Sequence, residues 1–210
     1  MPDLTLYVDA AFASPYAMAC YVTLLEKKLP FTLKTVNLDA GEHNTPAYRA
    51  MALTGRVPML VHGEVALNES SAIIEYLDDV FPDTPVLPVE PVQRARARQV
   101  QAWIRSDLLA LRAERSTAVI FDKPSSAPLS AAAQTAADKV IDVASRLISG
   151  AHLFGAWSIV DTDLALMLQR LVKNNDPVPE KVKAYADQQW QRPSVQAWVA
   201  AGLSKGGQHV

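Results

Sequence analysis

The sequence predicts an α/β domain followed by an all-α domain in one chain of 210 residues. Three observations carry that reading. In the first eighty residues short β-rich runs alternate with stretches of helical period, whereas from Pro91 onward only helical periodicity remains. Between them, Pro82, Pro85 and Pro88 form a segment that no helix interior tolerates. The predicted organisation is therefore a first domain over 1–80, a linker over 81–92 and an all-α domain over 93–210.

Leu4-Thr5-Leu6-Tyr7-Val8 is a β-rich run, and Ser14-Pro15 then offers an N-cap followed by proline at the first helical position. Met18, Val22, Leu25 and Leu29 recur at spacings of three and four, which makes 15–28 a helix that stops before Pro30. Phe31, Leu33 and Val36 alternate and predict a second strand over 31–38. A right-handed crossover makes the two strands parallel, so the chain opens on a βαβ unit. Gly41, Asn44 and Pro46 predict a loop with a short irregular helix over 40–52. Two short strands follow, one opening on Pro58 and one at 65–67, joined by the turn His62-Gly63-Glu64, and a helix begins at Ser71. This β-α-β-α-β-β-α order is thioredoxin-like.

The second half opens on one long helical segment over 93–120. Val100, Trp103, Ile104, Leu108 and Leu111 read as its inward stripe, and Arg94, Arg96, Arg98, Arg105 and Arg112 as its outward face. Residues 124–128 interrupt it. Helices are then predicted at 130–149, 160–172, 180–190 and 193–203, and the small polar stretch 202–210 reads as a frayed tail.

Composition narrows the function classes. Half the residues are hydrophobic, a fifth are charged, and the formal net charge is −2, so neither a disordered chain nor a nucleic-acid binder is expected. No basic leader opens the chain and no segment approaches the roughly twenty apolar residues of a membrane span, so a cytoplasmic protein that makes no membrane contact is expected. The lone Cys20 excludes an internal disulfide framework, and His43, His62, His152 and His209 show no metal-ligand spacing, so no metal is expected. Cys20 reads as a packed small hydrophobe inside the first helix.

The residues that carry chemistry lie in two places. Thr54-Gly55-Arg56-Val57-Pro58 followed by Asn68-Glu69-Ser70-Ser71 sets a backbone edge beside a proline next to a helix N-terminus. Unpaired N–H groups and the helix dipole at such a terminus suit a carboxylate. Ser14, as an N-cap, accepts a first-turn N–H and still has one hydroxyl proton to donate. On local sequence alone each of these is equally a cap or an ordinary strand start. Ser158-Ile159-Val160-Asp161 fits a structural capping box ahead of an apolar helix.

Ser14-Pro15-Tyr16, Arg56-Val57-Pro58-Met59-Leu60, Glu69-Ser70 and Ser158-Ile159-Val160-Asp161, in that order along nearly the whole chain, resemble a cytosolic-type glutathione S-transferase, and within that family a serine-type bacterial member. The chain departs from the family pattern at Ala52-Leu53-Thr54, where many members carry Asn-Pro ahead of Gly-Arg-Val-Pro. The resemblance implies that glutathione is the co-substrate and that Ser14 is the catalytic hydroxyl, donating to its sulfur. It implies a cis Val57-Pro58 bond, with the Val57 backbone holding the cysteinyl unit. Glu69 and Ser70 would hold the γ-glutamyl zwitterion, and Arg56 or His43 the glycyl carboxylate. Trp103, Arg105 and Asp107 are candidates for an acceptor pocket.

Lowering a thiol pKa from about 8.5 to about 6.5 requires roughly 2.7 kcal/mol. One hydrogen bond to a charged sulfur supplies ~1.5–3 kcal/mol and a helix N-terminus ~0.3–1, so no general base is needed. The implied activity is transfer of glutathione to small hydrophobic electrophiles, accompanied by glutathione-dependent peroxidase chemistry, in a homodimer. The alternatives are a glutathione-dependent isomerase or dehalogenase, and a non-catalytic interaction protein on the same fold.

Overall fold

The computed structural model describes residues 3–206. They divide into two compact units, one comprising the chain up to Val86 together with the stretch from Gln196 onward, the other running from Leu87 to Val195. The bounds expected from sequence are 1–80, 81–92 and 93–210, whereas the stretch from Gln196 groups with the first unit.

The first unit is built on a four-stranded sheet of order β2-β1-β3-β4, with β1 at Leu4–Asp9, β2 at Thr32–Val36, β3 at Met59–His62 and β4 at Val65–Asn68. β1 and β2 run parallel, with Leu6 opposite Leu33, while β3 is antiparallel to both β1 and β4. In β1, Leu4, Leu6 and Val8 are buried and Thr5 and Tyr7 are half-buried, the period of two expected of a strand with one face on the core. Helix α1 (Pro15–Glu26) buries Ala17, Met18, Val22 and Leu24, and helix α3 (Ser70–Val80) buries Ile73, Ile74 and Leu77. Each of those large aliphatic side chains contributes roughly 1.5–3 kcal/mol on burial. Cys20 is wholly buried, its thiol 3.9 Å from the Ser70 carbonyl oxygen, as a packing residue.

Between β2 and β3 the irregular stretch resolves into a 3-10 turn at Glu42–Asn44 and helix α2 (Pro46–Met51). Thr45 caps α2 by accepting the Tyr48 N–H at 3.3 Å. Tyr48, Ala52, Val36 and Met59 form a separate buried cluster beneath Tyr7, Val57 and Val61. At the end of α1 the Lys27 ammonium is buried, donating to Asp78 on α3 at 2.9 Å and to the Thr84 carbonyl at 2.7 Å.

The second unit is helical throughout: α4 (Pro91–Ser106), α5 (Leu109–Glu114), α6 (Ala118–Phe121), α7 (Ala131–Leu147), α8 (Ile159–Val172) and α9 (Glu180–Trp190). The single helix expected over 93–120 is three. The break comes at Asp107-Leu108, where Leu108 is left-handed (φ 63°) and the Asp107 carboxylate accepts its N–H at 2.7 Å. Local side-chain bonding there outcompetes the helix ladder, which a stripe of apolar residues does not reveal. Ser158 and Asp161 form the expected capping box, with the Ser158 N–H donating to Asp161 at 2.9 Å. Asp161 also accepts from the Tyr185 hydroxyl at 2.7 Å and the Leu153 N–H at 2.8 Å, which joins α9 and the preceding loop to the start of α8.

Helix α10 spans Pro193–Gly206, so residues 202–206 continue a helix where a frayed tail was expected, and 207–210 lie outside the described residues. Within this helix Trp198 is fully buried against the rings of Phe12 and Tyr21 at 4.8 and 5.4 Å. Among the described residues no helix is long and apolar enough to cross a membrane.

Candidate functional site

Ser14 stands in extended backbone (φ −73°, ψ 116°) as the N-cap of α1, with Pro15 behind it at the first helical position. Its hydroxyl oxygen accepts the Ala17 N–H at 3.2 Å. A hydroxyl that accepts in this way keeps its proton for another partner, and it lies at the positive end of a helix of twelve residues.

The Val57–Pro58 bond is cis. β3 begins only at Met59, which pairs with Tyr7 on one side and Asn68 on the other, so the Val57 backbone lies outside the sheet ladder. The approach to that strand is held by two side chains. Asn68, at the end of β4, donates to the Arg56 carbonyl at 3.0 Å and to the Pro58 carbonyl at 3.3 Å. The Tyr48 hydroxyl donates to the same Arg56 carbonyl at 2.9 Å, and burial pushes its pKa up to about 12, with nearby Tyr7 adding to the effect.

Ser70, buried, is the first residue of α3, and Glu69 caps the helix with an exposed side chain and no side-chain hydrogen bond to the first turn. The first-turn N–H groups of α3 thus have no capping side chain, which is the condition for receiving a carboxylate. Glu69 has φ 67° and ψ 112°, a conformation that L residues adopt at a cost.

Of the two basic candidates, His43 lies in the 3-10 turn before α2 and Arg56 directly precedes Val57. Arg56 is exposed and His43 half-buried. The His43 ring nitrogen Nε2 lies 3.1 Å from the Asn44 amide, and Asn44 in turn accepts from Arg49 at 2.9 Å. The Arg49 guanidinium lies against Gly55, whose left-handed φ of 63° and absent side chain leave it room. Ser14, Val57, Glu69, Ser70, Arg56 and His43 therefore all belong to the α/β unit.

Trp103, Arg105 and Asp107 lie in the helical unit, at the end of α4 and its cap. Trp103 donates its indole N–H to Asp107 at 3.1 Å, Lys139 pairs with the same carboxylate, and Arg105 sits 3.4 Å from Asp163. The Asp107 carboxyl is accordingly held below the usual carboxylate range, chiefly by its bond to Lys139.

Three further residues shape this site: Asn68, Tyr48 and Arg49. Asn68 stands in the sequence inside the motif that ends at Ser71, and no sequence signal points to Tyr48 or Arg49. Both of the latter lie on α2, whose register depends on the cap at Thr45 and which carries too few residues for a periodic signal.

A thioredoxin-like α/β unit, bearing a helix-capping serine, a cis-proline edge and an open helix terminus, joined in one chain to a helical unit, defines a glutathione-transferase type of architecture. Residues 13–80 match the family described as glutathione S-transferase, N-terminal domain, and residues 90–204 match glutathione S-transferase, C-terminal domain. The chain belongs to the glutathione S-transferase family.

It is 30% identical over 201 residues to a glutathione S-transferase of Hyoscyamus muticus, covering 91% of this chain and 90% of that protein. Against a crystal structure of a glutathione transferase homolog from Burkholderia gl BGR1 with bound glutathione, identity is 44%, coverage 96% and 98%, and the TM-score 0.79. Shorter matches link it to a maleylacetoacetate isomerase of Pseudomonas aeruginosa (42% over 109 residues) and to glutathione S-transferase 1 of Dianthus caryophyllus (39% over 90 residues). These two matches take in half or less of either chain: 50% of this chain and 50% of the isomerase, 43% of this chain and 41% of the carnation protein.

Proposed function

We propose that this protein is a glutathione transferase in which Ser14 stabilises the thiolate of bound glutathione for attack on small hydrophobic electrophiles. The observation that carries the reading is the Ser14 hydroxyl: its oxygen is occupied by the Ala17 N–H, so its proton is available to a sulfur at the N-terminus of α1. The co-substrate is then matched end to end. The Val57 backbone pairs with the cysteinyl unit as a short added strand. The γ-glutamyl carboxylate takes the first turn of α3 and Ser70, and its ammonium takes Glu69. Arg56 and His43 serve the glycyl carboxylate, with Arg49 beside them.

In the transfer step the thiolate sulfur forms a bond to an electrophilic carbon, and the leaving group departs with the electron pair of the bond that breaks. With a hydroperoxide, two glutathiones are oxidised to the disulfide while the peroxide is reduced to an alcohol and water. Trp103, Arg105 and Asp107 are the acceptor-side candidates. A Trp103→Ala variant tests this if it raises the acceptor KM and leaves the glutathione KM alone. A cytoplasmic homodimer is the assembly proposed, with sedimentation equilibrium as its check.

A second reading, a glutathione-dependent isomerase, is favoured by the similarity to the Pseudomonas maleylacetoacetate isomerase over half the chain. It uses the same thiolate but returns glutathione unconsumed. Turnover of a model aryl halide, a hydroperoxide and a cis-configured α,β-unsaturated diketo acid, each with glutathione, separates the readings. Calorimetry with glutathione tests both, and no binding at millimolar concentration leaves a non-catalytic protein on this fold. Ser14→Ala is expected to lower turnover by about tenfold or more with glutathione affinity retained; unchanged turnover removes Ser14 from the mechanism.

A further inference from the structure

Between the end of β1 and the start of α1 the chain makes a tight turn whose centre is a side chain. Asp9, the last residue of β1, is only 4% exposed. One of its carboxylate oxygens accepts the Ala13 N–H at 2.7 Å, and both lie 3.2 Å from the Ser14 nitrogen. Its carbonyl accepts the Phe12 N–H at 3.1 Å, and the next residue, Ala10, ties the strand end to Val36 on β2 at 2.9 Å. Phe12 is turned left-handed (φ 52°) and its ring is buried against Trp198.

We infer that Asp9 is a positioning residue for Ser14: its carboxylate fixes the backbone from which the serine hydroxyl is presented, so that ionisation of the glutathione thiol depends on it. The inference rests on the thiolate-stabilising role proposed for Ser14.

The position of a hydroxyl one bond off the backbone is set by that backbone. Ser14 is located from two directions, by its N–H on the Asp9 carboxylate and by its Oγ on the Ala17 N–H. The second bond belongs to the helix and moves with it. The first joins the serine to the sheet, on which the Val57 edge is also built, and is the only one of the two that relates the hydroxyl to the strand system. The chemistry of the residue fits this purpose. A buried carboxylate is an expensive way to satisfy two backbone donors, and burial does push its pKa up, with the Ala13 and Ser14 N–H groups opposing. A carboxylate offers two acceptor oxygens on one short side chain, so a single residue holds both turn donors, with the shorter bond, 2.7 Å, to Ala13 and the Ser14 N–H shared between the two oxygens at 3.2 Å.

The test compares Asp9→Ala, Asp9→Asn, Ser14→Ala and the double variant Asp9→Ala/Ser14→Ala in the full chain. Each is measured for glutathione affinity by calorimetry, turnover with a model electrophile, and the pH titration of bound glutathione by thiolate absorbance. A displacement of about an ångström in a reacting group costs up to about a hundredfold, so Asp9→Ala is expected to lose at least tenfold in turnover. Glutathione affinity should stay within about threefold, because Val57, Glu69 and Ser70 are untouched, and the bound thiol should titrate at higher pH, as in Ser14→Ala. Asp9→Asn keeps one acceptor of the same shape and should recover turnover to within about threefold of the parent. In the Ser14→Ala background, Asp9→Ala should cost nothing further.

Full turnover in Asp9→Ala, additive losses in the double variant, or a loss of turnover with the thiol titration unmoved each overturns the inference. If Ser14→Ala itself retains full turnover, the role of Ser14 fails; if Ser14→Ala is impaired and Asp9→Ala is not, only the role of Asp9 fails. Should Asp9→Ala not fold, Asp9→Val, which fills more of the space than alanine and carries no acceptor, takes its place with the same expectations.

Discussion

The Lys27 ammonium lies 2.9 Å from a carboxylate oxygen of Asp78, and the two side chains are 1% and 2% exposed. The pair joins the end of α1 to α3, and its members also hold the chain that follows: Lys27 donates to the Thr84 carbonyl, and Asp78 accepts the Val86 N–H at 2.8 Å. Removing one partner strands a buried charge, whereas removing both does not. Lys27→Met is therefore expected to lower unfolding stability by ~3–5 kcal/mol, and Lys27→Met/Asp78→Asn, which removes both charges and keeps an acceptor for the Val86 N–H, by less. Urea denaturation of the three proteins decides it. A single variant within about 1 kcal/mol of the parent would sink the argument.

Glu69 sits at φ 67°, where a side chain costs ~1–3 kcal/mol, and glycine would relieve this at an entropic cost of ~0.5–1. Glu69→Gly should thus be more stable than the parent by about 1 kcal/mol while binding glutathione at least about tenfold more weakly, since the ammonium loses its carboxylate. Thermal unfolding and calorimetry report the two effects separately. Unchanged affinity would remove Glu69 from the site.

Asn68 satisfies two backbone carbonyls next to the cis-proline edge from a nearly buried position. Asn68→Asp cannot donate to either carbonyl and sets a charge against them, so it should weaken glutathione binding more than Asn68→Ala does, in contrast to a simple loss of volume. Alanine is expected to cost ~1–3 kcal/mol of stability through the carbonyls left unsatisfied. Affinity equal to the parent's in both variants would show that the Val57 edge does not depend on this amide.

Asp163 on α8 is 12% exposed beside Gln101 (2.7 Å) and Arg105 (3.4 Å) of α4, and burial raises its pKa while Arg105 and Gln101 oppose the rise. A raised folded-state value means that the folded protein holds the proton more tightly than the unfolded chain. The stability Asp163 contributes is therefore fully present below the unfolded value of about 3.9 and is lost as pH rises through the folded one. Relative to Asp163→Asn, which does not titrate, the parent should lose unfolding free energy from acid toward neutral pH. A flat difference across that range would contradict the assigned shift.

The sequence by itself determined which elements form and most of what the site is made from. Apolar spacing in 15–28, the helix start at Ser71, the prolines at 82–88 and the caps at Ser14 and Ser158 are local facts, and local facts are what a sequence displays. What it could not display were interactions whose partners are distant in the chain or whose energy competes with a periodic signal. The helix break at Leu108 is won by one carboxylate bonding the next N–H, inside a stripe that reads as continuous. The burial of Trp198 against Phe12 and Tyr21 joins the end of the chain to its beginning, a contact that no local pattern displays. The support beneath the Val57 edge joins Asn68 and Tyr48 to Arg56, and the support beneath Ser14 is a carboxylate five residues upstream that reads, in the sequence, only as the end of a strand. The groups that would meet glutathione are set by residue type and spacing. Their positions to within an ångström are set by buried polar side chains whose backbone partners only the folded chain brings within reach.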